Sequence, residues 1–209
     1  MKKTLLVLDS SARTNRSITR SLTARLTERW RGRWQSAEVI HRDLGRNPPQ
    51  AISEAWIGAA FGKPVEGPSP LAESDELIDE LFRADAIAIG VPMYNFGMPA
   101  ALKAYLDQIV RVGRTFDFRA EAENPYLPLI PSKPVVAVAS MGAGGFEPGG
   151  EMANLNFLEP HLATVLGFVG LDRFSVVRAQ YEEFKDERWR LSVAAAEMAV
   201  DAWVDGLEV

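Results

Sequence analysis

Aromatic and apolar side chains occupy a segment of this chain that is expected to be a loop. The segment lies between an apolar run and a helical pattern that opens at Pro99, and it consists of Pro92, Met93, Tyr94, Asn95, Phe96 and Gly97. Flat apolar groups beside free backbone N–H and C=O groups suit a planar aromatic ligand. The alternative is that Tyr94 and Phe96 tuck into the hydrophobic core, which is the commoner fate of such side chains.

Hydroxyl side chains crowd a second segment, which follows the first apolar run of the chain. They are accompanied by Arg13, Asn15 and Arg16, and they are Ser10, Ser11, Thr14, Ser17, Thr19 and Ser21. A helix is predicted to begin here, and the N-terminus of a helix attracts phosphate through its free N–H groups and partial positive charge. The segment contains neither a Walker motif nor the dinucleotide fingerprint Gly-x-Gly-x-x-Gly. The alternative is an ordinary helix cap followed by solvated loop residues.

A third segment is rich in glycine and follows the fourth apolar run. It begins with Ser140, Met141, Gly142, Ala143, Gly144 and Gly145 and continues to Gly150. Glycine lets a backbone approach a ligand closely. The spacing fails as a dinucleotide fingerprint, because Glu147 stands where that motif needs glycine. The alternative is a flexible surface loop.

Strand and helix patterns alternate along the chain and would position these three segments. The predicted strands are residues 3–9, 36–44, 86–91, 133–140 and 174–179. The predicted helices are residues 17–33, 73–83, 99–113, 154–167 and 182–204. Two excursions interrupt the alternation, at residues 45–71, with at most a short helix over 53–61, and at residues 115–131.

Five apolar strands separated by helices predict an α/β fold in a single domain, residues 1–209. The strand count favours a flavodoxin-like doubly wound fold, with a five-stranded parallel sheet of order 2-1-3-4-5 and helices on both faces. Ligands of such sheets bind beyond the carboxyl ends of the strands, so the three segments should converge on one site. One segment suits a single phosphate and two suit a flat heteroaromatic ring, which is the shape of flavin mononucleotide (FMN).

Composition excludes several classes of function. A net charge of −5 and no basic stripe argue against binding to nucleic acid. The chain has no cysteine and only His41 and His161, so a disulfide framework or a metal site is not expected. The run after Lys2 and Lys3 is too short for a signal or membrane segment, and a cytoplasmic protein is the simplest interpretation.

Residues 92–116, PMYNFGMPAALKAYLDQIVRVGRTF, closely resemble the loop and helix of the FMN-dependent NADH:quinone oxidoreductases, or azoreductases, of the flavodoxin-like superfamily. The resemblance extends to Ser10-Ser11, Ser17-x-Thr19, ELIDELFRADAIAI at residues 76–89 and TVLGFVG at residues 164–170. The resemblance implies three groups of FMN contacts. The phosphate would meet Ser11, Ser17, Ile18 and Thr19; the isoalloxazine would lie beside Met93, Tyr94, Asn95 and Phe96; its pyrimidine edge would meet Ser140, Met141, Gly142 and Ala143. The neighbouring Pro92, Gly97 and Gly144 are expected in the same FMN site.

The resemblance also implies an activity. NADH or NADPH would reduce tightly bound FMN, and reduced FMN would pass two electrons to a quinone or reductively cleave an aromatic azo compound, by a ping-pong mechanism. No side chain is expected to act as a catalytic acid or base, because the flavin carries the chemistry. The family's homodimer, with flavin at the subunit interface, is expected here as well.

Two other functions stay open. A flavodoxin-type electron carrier would bind FMN without substrate turnover, but the two long excursions fit a reductase better. A flavin-free hydrolase using Ser10 or Ser11 would need a nucleophile-elbow motif, which is missing. The preference between NADH and NADPH, and the roles of Arg13 and Arg16, do not follow from the sequence.

Overall fold

The computed structural model describes residues 2–208, so the first and last residues of the predicted domain lie outside it. The strands are β1 (Lys3–Asp9), β2 (Ala37–Asp43), β3 (Ala86–Pro92), β4 (Phe116–Phe118), β5 (Tyr126–Pro128), β6 (Pro134–Ser140) and β7 (Arg173–Ala179). The α-helices are α1 (Ile18–Arg33), α2 (Glu54–Ala60), α3 (Ala72–Arg83), α4 (Ala100–Ile109), α5 (Leu158–Val169) and α6 (Glu187–Asp205). A 3₁₀ turn spans Ala153–Leu155.

The central sheet confirms the predicted topology. Its order is β2-β1-β3-β6-β7 with every pair parallel, which is 2-1-3-4-5 when the central strands alone are counted. Backbone bonds continue the ladder past the carboxyl ends, joining Ser10 N–H to Gly90 O at 3.0 Å and Met93 N–H to Ser140 O at 2.8 Å. The three predicted segments therefore leave the sheet side by side.

The hydrophobic core forms two layers because strand side chains alternate between the faces of the sheet. Leu5 and Val7 of β1 face α1 and α6, packing with Leu26 and Trp30. The other face of β1 begins with Leu6 and joins side chains from α3, α4 and α5. β1, β3 and β6 are buried on both faces, which explains why their sequences are continuous apolar runs.

Three predicted helix boundaries are wrong, and local hydrogen bonds explain two of them. The helix predicted to reach Gly113 ends at Ile109, because Val110 is extended and the Thr115 hydroxyl donates to the Ile109 carbonyl at 2.6 Å. The helix predicted from Glu182 begins at Glu187, because the carboxylate of Asp186 caps it by accepting the N–H of Arg188 at 3.0 Å. Residues 180–186 are therefore a loop.

Three further elements differ from or refine the sequence-based assignment. The helix predicted over 154–167 begins at Leu158 and is preceded by the 3₁₀ turn. The excursion at 115–131 contains the antiparallel hairpin β4–β5, which the sequence analysis did not predict. The short helix predicted over 53–61 is α2, capped by the Ser53 hydroxyl. Within residues 2–208, no helix combines the length and apolar character needed to cross a membrane.

The first excursion is fastened to the domain by one buried hydrogen-bond network. The Trp56 indole N–H donates to Gln108 Oε1 at 2.8 Å, and Gln108 Nε2 donates to the Gln50 carbonyl at 2.8 Å. The Ser74 hydroxyl donates to the Gln108 carbonyl at 2.6 Å. Because Trp56 and Gln108 are both buried, the loss of one partner leaves the other unsatisfied.

We expect Trp56→Phe to loosen this excursion. The variant keeps the aromatic bulk but strands Gln108 Oε1, at a cost of about 1–3 kcal/mol in local stability. Limited proteolysis should cut the exposed residues 61–67 faster than in the parent protein, since cleavage follows local opening. Ile57→Ala, on the exposed side of the same helix, is the control. Equal cleavage rates for Trp56→Phe and the parent would show that the hydrogen bond between Trp56 and Gln108 does not hold this excursion in place.

Candidate functional site

A cavity of about 510 Å³ opens at the carboxyl edge of the sheet, a volume typical of small-molecule sites. We call it the central cavity. Its lining brings together residues from all three predicted segments: Ser11, Arg13, Ser17, Ile18, Pro92, Met93, Tyr94, Asn95, Ser140 and Gly142. A fourth segment, after β7, adds Glu182, Glu183 and Lys185.

Six predicted site residues are not in this lining. Thr19 is buried in the first turn of α1, and the Met141 side chain packs in the core. Phe96 and Gly97 lie at the outer part of their loop, and Phe96 is 46% exposed. Ala143 and Gly144 lie against the segment after β7, where the Ala143 carbonyl accepts the N–H of Tyr181 at 3.3 Å.

Uncharged hydrogen-bond donors, hydroxyls and backbone N–H groups, line one end of the central cavity. Ser17 caps α1, its hydroxyl accepting the N–H of Arg20 at 3.4 Å. The N–H groups of Ile18 and Thr19 have no acceptor within residues 2–208, and the first turn of α1 has no acidic side chain. An anion at this position would meet the free N–H groups and the positive end of the helix dipole.

Arg20 braces this end of the cavity, and the sequence analysis did not identify it. The guanidinium donates to the carbonyls of Ser11 at 2.8 Å and Arg13 at 2.9 Å, and it forms a two-bond pair with Asp43. The hydrogen bond from Arg20 lowers the pKa of Asp43. A Cβ on Gly45 would overlap the Ser11 carbonyl, so only glycine lets the chain after β2 pass this close. An arginine in a first helical turn resembles a surface residue in sequence, which is why it gave no signal.

A buried carboxylate lies directly behind Arg20. Asp9 Oδ1 accepts the Thr23 hydroxyl at 2.8 Å, and Asp9 Oδ2 lies 2.8 Å from His41 Nε2 and 3.8 Å from the Arg20 guanidinium. The hydrogen bond with Asp9 raises the pKa of His41. The cluster thus links β1, β2 and α1 underneath the hydroxyl-rich loop.

The aromatic segment forms a tight turn over the cavity rather than entering the core. Tyr94 and Gly97 exchange backbone hydrogen bonds of 2.9 and 3.0 Å, while Asn95 and Phe96 adopt positive φ angles of 48° and 69°. The Tyr94 hydroxyl accepts the N–H of Ala12 at 3.3 Å and so joins this turn to the hydroxyl-rich loop. The N–H groups of Asn95 and Phe96 have no acceptor within residues 2–208.

The segment after β7 forms the remaining wall. Glu182 forms a 2.7 Å ion pair with Arg13 across the mouth of the cavity. The glycine-rich loop packs against this wall, and a Cβ on Gly144 would overlap the ring of Tyr181. The sequence analysis missed this wall because it assigned residues 182–186 to a helix.

The chemistry available to the central cavity is recognition rather than acid–base catalysis. Neutral donors at one end suit a phosphate group, and a flat apolar surface with free N–H groups at the other suits a planar heterocycle. Neither histidine is among its lining residues. Within residues 2–208, no cluster of three histidine, aspartate or glutamate side chains could hold a metal ion. The Ser10 hydroxyl donates to the Gly90 carbonyl at 2.8 Å and is buried, which argues against a nucleophilic serine.

Comparison with protein families identifies the relationship of the chain. A family model described as a flavodoxin-like fold matches residues 3–201. The FMN-dependent NADH:quinone oxidoreductase of Opitutus terrae is 49% identical over 204 residues, covering 95% of each protein. The FMN-dependent NAD(P)H:quinone oxidoreductase 1 of Pseudomonas aeruginosa is 42% identical over 185 residues, covering 86% of this chain and 87% of that protein.

Solved structures share the fold at lower sequence identity. An azoreductase from Bacillus anthracis superposes with a TM-score of 0.86 at 18% identity, covering 98% of this chain and 100% of that one. An FMN-dependent NADH-azoreductase from the same species, solved in complex with FMN, gives a TM-score of 0.84 at 18% identity and covers 98% of each chain.

The pair formed by Asp9 and His41 predicts a pH dependence of stability. Because the folded pKa of His41 is raised, the pair contributes fully below the unfolded value of about 6.5, and the contribution is lost as pH rises through the folded pKa. NMR titration should give a His41 midpoint above about 6.5, with His161→Gln used to assign the signal.

The matching stability experiment uses His41→Gln, which keeps a neutral donor for Asp9. The difference in free energy of unfolding between parent and variant should be larger near pH 5.5 than near pH 8.5. A difference that does not change with pH would contradict a charged pair.

Proposed function

This chain belongs to the family of FMN-dependent NADH:quinone oxidoreductases, with a flavodoxin-like fold, and we propose that it transfers two electrons from NADH or NADPH to quinones through FMN bound in the central cavity. Reductive cleavage of aromatic azo compounds is proposed as a second reaction of the same site. The observation that carries the proposal is one continuous cavity with a phosphate cradle at the start of α1 and a flat surface with free N–H groups at the end of β3.

The residues present fit FMN. Its phosphate would meet the hydroxyls of Ser11 and Ser17 and the free N–H groups of Ile18 and Thr19. The Arg20 guanidinium holds the Ser11 backbone in place. Neutral donors and the helix dipole bind a phosphate without a lysine. Thr19 thus takes part through its backbone, since its side chain is buried.

The isoalloxazine ring would lie between the aromatic turn and the glycine-rich loop. Met93 and Tyr94 supply apolar surface, and the N–H groups of Asn95 and Phe96 face no competing acceptor within residues 2–208. Gly97 cannot donate to the ring as its N–H is bonded to Tyr94. The N–H groups of Gly142 and Ala143 likewise have no acceptor in this range, while that of Met141 is bonded to Ala179.

Bound FMN would supply the redox chemistry, a two-electron exchange between NAD(P)H and the acceptor. The chain would supply position and electrostatics, with its free N–H groups placed to stabilise negative charge on a bound ring. We assign no side chain as catalytic acid or base, because the flavin would carry the chemistry and the lining contains no histidine. One open cleft would accept the reductant and then the acceptor in turn, which is a ping-pong mechanism.

We also propose a homodimer with the FMN sites at the subunit interface. Phe96 and Phe157 are exposed beside the cavity, at 46% and 62%, and a 3.1 Å backbone bond joins Phe157 N–H to Phe96 O. Exposed neighbouring phenylalanines mark an interaction surface. We propose a cytoplasmic location because that compartment supplies NADH and NADPH.

Redox titration and kinetics test the proposed reaction. We expect the visible flavin absorbance of the FMN-loaded protein to bleach in one two-electron step on anaerobic addition of NADH, and to return on addition of a quinone. Double-reciprocal plots at several quinone concentrations should be parallel. Intersecting plots would contradict the ping-pong mechanism, and stepwise one-electron bleaching without quinone turnover would favour the electron carrier.

Removal of phosphate-contacting hydroxyls should weaken FMN but not riboflavin. Because a hydrogen bond to a charged group contributes about 1.5–3 kcal/mol, Ser17→Ala and Ser11→Ala should each raise the Kd for FMN about tenfold or more. The Kd for riboflavin, which lacks the phosphate, is the internal control and should change less than about twofold. Ser36→Ala, in an exposed turn, controls for loss of a serine. Equal weakening of both flavins would contradict the phosphate assignment.

A further inference from the structure

A second cavity, of about 810 Å³, adjoins the central cavity at its phosphate end. We call it the side cavity. It shares several lining residues with the central cavity: Arg13, Ser17, Ile18, Glu182 and Lys185. It extends beyond them to Arg16, Ser21 and Trp189. A ligand can therefore extend from one cavity into the other along the start of α1.

Cationic side chains set the charge of the side cavity. Arg13, Arg16 and Lys185 line it with a single carboxylate, Glu182, although the chain as a whole carries a net charge of −5. Most arginines of this protein pair with a carboxylate. Within residues 2–208, neither Arg16 nor Lys185 forms an ion pair or a side-chain hydrogen bond. Two unpaired cations around one cavity favour an anionic ligand.

Backbone conformation supports the same conclusion. Arg16 and Lys185 have positive φ angles of 58° and 50°, a region that non-glycine residues rarely occupy. Such conformations cost free energy and are concentrated at ligand sites. The two residues belong to different loops, one before α1 and one before α6, yet both line the side cavity.

Trp189 gives the cavity a planar surface. It lies in the first turn of α6, and its indole N–H is buried without an acceptor within residues 2–208. The indole offers a flat surface on which a purine base can stack. An adenosine phosphate combines that base with the anionic groups that the cations favour.

We propose that the side cavity binds the adenosine end of NADPH, and that Arg16 and Lys185 contact its 2′-phosphate and so favour NADPH over NADH. The inference rests on the proposed function, because the nicotinamide end must reach the central cavity. Arg16 is absent from the lining of the central cavity, so FMN would leave it free, whereas Lys185 lines both cavities and lies where they meet. Guanidinium and ammonium groups bind phosphate oxygens through charge-assisted hydrogen bonds.

Glu182 should oppose this binding. Its carboxylate lies in the same cavity and holds Arg13 in a 2.7 Å pair. Glu182→Gln removes the repulsion and releases Arg13, so it should tighten binding of a 2′-phosphate severalfold. Loss of Arg16 or Lys185 should weaken binding, whereas loss of the Glu182 charge should strengthen it. General damage to the loop would weaken binding in every variant, so the strengthened binding identifies specific recognition of the phosphate.

Calorimetry with adenosine 2′,5′-bisphosphate and adenosine 5′-monophosphate tests the proposal on the FMN-loaded protein. Each charged contact contributes about tenfold in affinity. Arg16→Gln and Lys185→Gln should therefore each raise the Kd of the bisphosphate about tenfold and that of the monophosphate less than about twofold. The ratio of kcat/KM for NADPH to that for NADH should fall in parallel. Arg190→Gln, on α6 and outside both cavities, is the matched control.

Three results would overturn the inference. The first is equal affinity of the parent protein for the two adenosine phosphates. The second is equal weakening of both ligands by the variants. The third is loss of FMN from Arg16→Gln or Lys185→Gln, which would assign these cations to the flavin. Failure of the proposed function looks different. In that case the bisphosphate would still bind through Arg16, but reduced protein would not be reoxidised by quinone.

Discussion

Backbone hydrogen bonds across the carboxyl edge of the sheet are the constraint on which the rest of this structure depends. Gly45 N–H bonds Asp9 O at 3.0 Å, and the bonds from Ser10 to Gly90, from Met93 to Ser140 and from Met141 to Ala179 continue the row. Each of these loops is thus fixed at its first or second residue to the neighbouring strand. Because the parallel sheet is buried on both faces, its polar and strained residues collect at this edge, where a ligand can use them.

Sequence could predict the elements whose signal is local. The continuous apolar runs of β1, β3 and β6 identified the buried strands, and their order placed three loops at one site. The contribution of Arg20 was not predictable, since its acceptors on Ser11, Arg13 and Asp43 become neighbours only after α1 has packed. The wall after β7 was hidden for a different reason: Glu182 and Glu183 look like the first turn of a helix, but Asp186 supplies a better cap.

Charge is distributed unevenly over the two cavities. In the proposed site, hydroxyls, N–H groups and a helix dipole would recognise the phosphate in the central cavity, while most cations nearby are paired with a carboxylate. Arg20 is held by Asp43, Arg13 by Glu182 and His41 by Asp9. These pairs hold the hydroxyl-rich loop in place. Arg16 and Lys185 form no ion pair within residues 2–208; Arg16 lines only the side cavity and Lys185 lines both, which leaves a second anionic group a place to bind.

The close contacts of the loops bear on how this site can change during evolution or in engineering. Gly45 passes against the Ser11 carbonyl, and Gly144 lies under the ring of Tyr181, so a side chain at either position would displace a whole wall. Glu183, in contrast, presents an exposed side chain on a backbone held by a 3.0 Å bond from its N–H to the Gly142 carbonyl. A library varied at this position would sample new acceptor shapes while the proposed cofactor contacts of the other loops stay intact. The scaffold thus separates positions that are free to diversify from positions that are not.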